Sequence, residues 1–254
     1  MSLTLYEEDV SIYQKDLDTL KPRQWLNDQI ISFSMARIEK TLSDIDASVR
    51  FLDASLVSCL RLQLDDEDKE DVKSFVEGIG LTTSSAVVVP LTNRTSLESS
   101  STHWSLLYID LKDNLVLHFD SHSNFNRQAA EMATKDIYQL LDKDVVPEVI
   151  NAKCPQQENG YDCGIFTILH AQYLAEGRNS ISVLLISTII LLSIPNFSLY
   201  SLCNLFTDMQ SIMNASINSK LEVIEDGVNR FMTQHRIEGY REETIKRIQD
   251  LRQL

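Results

Sequence analysis

The sequence predicts an α+β domain, and three observations carry that expectation. Strand-like and helix-like segments are interleaved without the regular spacing of βαβ units. Two apolar, aromatic-rich runs, Trp104 to Ile109 and Leu115 to Phe119, flank Lys112, Asp113 and Asn114 as the arms of a β-hairpin would. The 254 residues are 43% hydrophobic and 24% charged, a composition that supports one sizeable core.

Taken in order, Met1 to Val10 has acids where a secretory leader carries bases, and no apolar run follows, so a cytoplasmic or nuclear protein is expected. Arg23 to Leu42 repeats apolar residues at helical spacing behind Pro22 and predicts a helix. The acidic run Asp65 to Asp71 reads as a solvated helix face, and Ala86 to Leu91 as a short β-branched strand. Arg94 to Ser101 is polar and serine-rich, the composition of a loop, and ends just before His103. After the hairpin, Gln128 to Leu141 predicts a helix, Val145 to Ile150 a strand, and Gly164 to Ala175 a helix that opens at Cys163.

Acidic residues outnumber basic ones by 37 to 23, a formal charge of -14. Such a chain repels a phosphate backbone, so nucleic acid is excluded as a partner in favour of a basic protein surface or tail. The four cysteines, Cys59, Cys154, Cys163 and Cys203, form no CxxC pair. Neither a disulfide framework nor a zinc ribbon is expected. His118, His122, His170 and His235 make no metal-binding spacing with them and read as ordinary strand, loop and helix residues.

Nucleophilic cysteine chemistry needs a thiolate, a base within reach, and a third group that fixes the base's tautomer. Cys163 follows the polar stretch from Gln157 to Asp162 and begins an apolar-periodic helix. The orphan N–H groups and partial positive charge of a helix N-terminus favour a thiolate there. His103 precedes the first hairpin strand and Asp120 follows the second, so closing the hairpin brings the two side chains together. Gln157 is placed to donate its amide to a developing oxyanion, and by spacing alone Gln156 competes for that role.

His103-Trp104-Ser105-Leu106, Asp120-Ser121 and Pro155 through Gly164, together with Trp25-Leu26-Asn27-Asp28, resemble in order the successive motifs of the Ulp/sentrin-specific protease family. The resemblance spans roughly Trp25 to Glu176. It implies a papain-like fold, a central mixed sheet flanked by helices, in which His103, Asp120 and Cys163 form the triad and Gln157 belongs to the oxyanion hole. It implies hydrolysis after the C-terminal Gly-Gly of a ubiquitin-like modifier by a monomer that needs no cofactor. The position of Trp25-Leu26-Asn27-Asp28 and the run Asp120-Ser121-His122-Ser123 are most similar to the deneddylase branch, whose substrates are the neddylation modifier and its conjugates, such as cullins. A sentrin-type modifier or ubiquitin, or a module that binds a modifier without cutting it, are the alternatives.

A Gly-Gly tail can be selected by a passage too narrow for a Cβ, and flat rings make suitable walls. Trp104, beside the base, is one candidate wall and Trp25, by resemblance, the other. The resemblance also pairs Asp28 with an arginine of the modifier's tail.

One stretch departs from the family pattern. No charged residue occurs from Asn179 to Thr207, and Ile181 to Ile194 is nearly all aliphatic. A membrane span there would strand the helix face made by Ile245, Ile248 and Leu251 away from its core, so the expectation is a single catalytic domain over 1–254 interrupted by an atypical apolar insertion at 179–207. A mistranslated stretch and a buried helix are the other readings.

Overall fold

The computed structural model describes residues 3–7, 10–43, 47–53, 55–56, 69–93, 102–175, 217–232 and 234–251. A small antiparallel pair, β1 (Leu3–Glu7) and β2 (Val10–Tyr13), leads through α1 (Gln14–Asp18) to α2 (Asp28–Ser43). β3 (Val49–Phe51), α3 (Lys69–Gly78), a 3₁₀ turn at Leu81–Thr83 and β4 (Ala86–Thr92) follow, then β5 (Trp104–Asp110), β6 (Leu115–Phe119), α4 (Arg127–Leu140) and β7 (Val149–Asn151). Residues 163–175 form α5, Ile217–Phe231 α6 and Gln234–Leu251 α7.

β3 to β7 lie in sequence order in one five-stranded sheet, antiparallel at its centre and parallel where β3 meets β4 and β6 meets β7. This is the mixed, helix-flanked sheet of an α+β protein. β4, β5 and β6 are buried on both faces, so their side chains alternate between two cores. Leu106, Leu117 and Phe119 pack with α2 and α5, while Leu107, Ile109 and Val116 pack with Ala130 and Ile137 of α4. Pro90 is tolerated within β4 because β3 pairs only as far as Val88, leaving that side of the strand without a ladder to interrupt.

The hairpin forms as expected, with Asp110 Oδ1 accepting the amides of Lys112 and Asp113 at 3.0 and 2.9 Å and Asn114 at φ 54°. Two elements differ from the sequence expectation. α2 starts at Asp28 rather than Arg23, because Asn27 Oδ1 accepts the Ile30 amide at 3.2 Å as an N-cap and Arg23 turns through φ 64°. The strand expected at Val145 shrinks to Val149–Asn151, since Pro147 has no N–H for a ladder and holds Val146 extended in solvent. The two short pairings made by β1, β2 and β3 were not anticipated at all.

α6 and α7 close one side of the molecule. Ile248 is fully buried, and Ile245 and Leu251 pack on the same core, as the helical face in the sequence required. The apolar stretch 179–207 and the serine-rich loop at 94–101 lie outside the described residues, as does most of the acidic run. Among the described residues no helix is long and apolar enough to cross a membrane.

Candidate active site

Leu106 pairs with Phe119, so the next residues along each strand, Ser105 and Asp120, come opposite one another, and His103 shares their face two residues further on. His103 Nε2 lies 2.6 Å from Asp120 Oδ1, both side chains being buried. Asp120 Oδ1 also accepts the His122 amide at 2.9 Å, and Oδ2 accepts the Asn126 amide at 2.9 Å just ahead of α4. One carboxylate therefore orients the imidazole and anchors the turn that starts a helix. Burial opposes its charge, but the His103 bond and the two amides outweigh that and hold the carboxyl below its usual range. For His103, burial disfavours the cation, yet the bond to Asp120 and then the interaction with the Cys163 sulfur push the imidazole up to about 9.

Cys163 opens α5 and is 3% exposed. The turn ahead of it is built by Asn159, whose Oδ1 accepts the amides of Tyr161 and Asp162, each at 3.0 Å, while its Nδ2 donates to Asp162 Oδ2 at 2.8 Å. The packing after it is close: a Cβ on Gly164 would stand 3.0 Å from Leu26 Cβ and 3.3 Å from Ile31 Cδ1. The nucleophile's helix thus lies directly against Leu26 and α2. With Nε2 of His103 engaged by Asp120, Nδ1 is the ring nitrogen left for the thiol. The structure therefore gathers His103, Asp120 and the Cys163 sulfur, the three groups that such chemistry needs, at the start of α5.

The two glutamines separate by their bonds. Gln156 Nε2 donates to the carbonyls of Asp120 and Cys154 at 3.0 and 3.1 Å, which uses both its N–H groups, and its Oε1 accepts the Ser123 amide. Gln157 Oε1 accepts from Ser121 Oγ at 2.8 Å and Nε2 donates to the Asn159 carbonyl at 2.6 Å. That leaves Gln157, unlike Gln156, with an N–H uncommitted to the bonds described.

The two tryptophans differ sharply. Trp25 is 51% exposed and donates Nε1 to the Gly160 carbonyl at 2.7 Å, which stands its ring beside the loop before Cys163. Trp104 is buried in the core, donating Nε1 to the Leu26 carbonyl at 3.0 Å. Trp104 thereby ties the Trp25-to-Asp28 segment to the hairpin, and Trp25 is the ring open to an incoming chain. Asp28 stands half-buried in the first turn of α2.

A His, an Asp and a Cys, in that chain order, gathered where a mixed sheet meets the start of a helix agree with a family match covering residues 24–193: the Ulp1 protease family, C-terminal catalytic domain. The chain belongs to the Ulp1 protease family. It is 33% identical over 171 residues to a probable sentrin-specific protease 8 of Dictyostelium discoideum, covering 63% of this chain and 70% of that one. It is 29% identical over 180 residues to NEDD8-specific protease 1 of Arabidopsis thaliana, covering 68% of this chain and 75% of that one. Among solved structures, the Ulp1 protease domain in complex with Smt3, the yeast ortholog of SUMO, aligns with a TM-score of 0.54 at 25% identity, covering 69% of this chain and 77% of that one. As a member of the Ulp1 family the protein is a cysteine-type peptidase of ubiquitin-like modifiers.

Several residues that the sequence reading passed over belong to this site. His118, taken as an ordinary strand residue, is buried two positions before Asp120 on the same face, with Nε2 3.0 Å from Ser105 Oγ and Nδ1 3.1 Å from Asn151 Oδ1. Burial pushes its imidazole down, favouring the neutral ring. Asn126 Nδ2 donates to the same Ser105 Oγ at 3.0 Å. The two-residue strand period linking His118 to Asp120 was the available signal. His122 and Phe125 stack at 5.8 Å, and each meets the His103 ring edge-on at 5.6 Å, with Phe125 57% exposed. They shelter the imidazole from water on that side. His170, read from the sequence as an ordinary helix residue, is packed between Phe119 and Phe166 with both ring nitrogens buried and without a hydrogen-bond partner among the described residues, and burial pushes its imidazole down to about 3. Among the described residues no group of His, Cys, Asp and Glu could hold a metal ion.

Proposed function

We propose that this Ulp1-family protease is a deneddylase that hydrolyses the bond after the C-terminal Gly-Gly of the neddylation modifier. The observation that carries the chemistry is the 2.6 Å bond between His103 and Asp120 on an imidazole that also interacts with the Cys163 sulfur. The Cys163 thiolate attacks the carbonyl carbon of the modifier's last glycine, forming the C–S bond and sending the π pair to oxygen. Gln157 and the Cys163 amide stabilise that oxyanion. His103 gives its proton to the leaving amine as the C–N bond breaks. Water, deprotonated by His103, then hydrolyses the thioester, releasing the modifier's carboxylate and restoring the thiol. Asp120 keeps the ring oriented throughout.

The choice of modifier rests on the relatives, a probable sentrin-specific protease 8 and a NEDD8-specific protease. In this reading Trp25 borders the passage for the Gly-Gly tail while Trp104, buried in the core, fixes the segment that carries it, Asp28 receives an arginine of the tail, and cullin conjugates are among the substrates in the cytoplasm or nucleus. The likeness to a SUMO-cleaving Ulp1 domain supports a second reading, a sentrin-type modifier.

Probes of each modifier carrying a C-terminal electrophile separate them. The neddylation probe is expected to label wild type and not Cys163→Ala, and the sentrin and ubiquitin probes to label at least about tenfold more slowly. Labelling by the sentrin probe alone overturns the deneddylase assignment. Binding of a modifier without turnover, unchanged by Cys163→Ala, overturns catalysis itself.

A further inference from the structure

α7 comes late in the chain and bears no residue of the thiol chemistry, yet one of its side chains reaches the site. Arg241 is 8% exposed. Its Nη1 donates to the carbonyls of Thr19 at 2.9 Å and Lys21 at 3.3 Å. Its Nη2 donates to the Gln24 carbonyl at 2.7 Å, to Asp162 Oδ1 at 2.9 Å and, at 3.4 Å, to the Tyr161 carbonyl. These acceptors lie on two stretches distant in sequence. Residues 19–24 run straight into Trp25, and Tyr161 and Asp162 run straight into Cys163.

A planar guanidinium with five donors can bridge such acceptors, whereas a lysine ammonium is a single point with three. The Trp25 bond to the Gly160 carbonyl joins the same two stretches a second time. Asp162, one residue ahead of the thiol, is only 13% exposed at its side chain, so its charge needs a partner. The ion pair with Arg241 at 2.9 Å, with the Asn159 amide on its other oxygen, compensates that charge. The segments that meet here also carry Glu158 and Tyr161 ahead of α5, Asp18, Lys21, Arg23 and Asp28 on the chain around Trp25, and His103 and Asp120 at the end of the hairpin.

We propose that Arg241 is a positioning residue for the thiol: it holds the turn before Cys163 in register with Trp25 and neutralises Asp162 beside the nucleophile. This rests on Cys163 being the nucleophile.

The test uses the full chain. Iodoacetamide alkylation of Cys163 is followed against pH by mass spectrometry of its peptide, alongside labelling by the electrophilic neddylation probe. Arg241→Met is expected to raise the alkylation midpoint, because it leaves uncompensated a carboxylate one residue from Cys163. It is expected to slow probe labelling about 10- to 100-fold through misplacement of thiol and Trp25. Arg241→Lys should restore the midpoint better than the labelling rate. Adding Asp162→Asn to Arg241→Met should return the midpoint toward wild type while labelling stays slow. If Arg241→Met does not fold, Asp162→Asn alone decides: an unopposed Arg241 cation should lower the midpoint. A wild-type midpoint in every variant that folds overturns the proposal, as does wild-type labelling by Arg241→Met. Wild-type Cys163 that alkylates readily yet ignores every modifier probe would instead count against the protease reading, leaving the midpoint comparison to be judged separately.

Discussion

The indole of Trp25 donates to the carbonyl of Gly160 across 2.7 Å, joining the chain ahead of α2 to the loop that enters Cys163. The ring that is open to solvent and the loop that leads to the Cys163 sulfur are thereby fixed to one another, so in the proposed function tail recognition and bond cleavage share a frame.

Trp25 and Trp104 should therefore fail in different ways. Trp25→Ala removes a half-exposed ring, so KM for a modifier substrate should rise about tenfold or more with little change in melting temperature. Trp104→Ala leaves a core cavity and an unmet Leu26 carbonyl, and should cost about 3–5 kcal/mol of stability. Steady-state kinetics and denaturant titration of the two variants check the contrast.

Asp120→Asn keeps the shape of the acid and loses its charge. Turnover should fall about 10⁴-fold, as it does when a triad carboxylate is made neutral elsewhere. Loss of the charge should also bring the His103 imidazole down from about 9. In wild type the raised imidazole contributes stability that is complete below the unfolded value near 6.5 and is lost as pH rises through about 9. The melting temperature of wild type should thus decline between those two pH values, and that of Asp120→Asn should decline less.

Gln157→Ala should lower kcat about 10²- to 10³-fold with KM nearly unchanged, the pattern of a donor used in the transition state. Gln156→Ala releases bonds to the Asp120 and Cys154 carbonyls and the Ser123 amide, so it should loosen the loop around His122 instead. Equal kcat losses in the two variants would contradict the assignment of the oxyanion donor.

Gly164→Ala introduces a Cβ 3.0 Å from Leu26 Cβ. Overpacking should cost about 1–3 kcal/mol. Because the crowded atom is next to Trp25, activity should fall further than the loss of folded protein explains, which comparison of kcat with the folded fraction would reveal.

The hairpin, α4 and the start of α5 were legible in the sequence because each is specified locally, by apolar periodicity and turn residues. The same local signals placed His103 and Asp120 at one end of one ribbon. The start of α2 was misplaced because its stop signal is tertiary: Asn27 is held as a cap by Asp16, whose Oδ1 accepts from Asn27 Nδ2 at 2.8 Å. His118 and Asn126 went unnoticed since their roles arise from a strand face and a helix entry meeting at Ser105. Arg241 left no local trace whatever, its acceptors being backbone carbonyls and one carboxylate from 79 to 222 residues away along the chain.

That last distance orders events during synthesis. His103, Asp120 and Cys163 all leave the ribosome before Arg241 does, so a nascent chain already holding every reactive group still lacks the guanidinium that braces the turn before its sulfur.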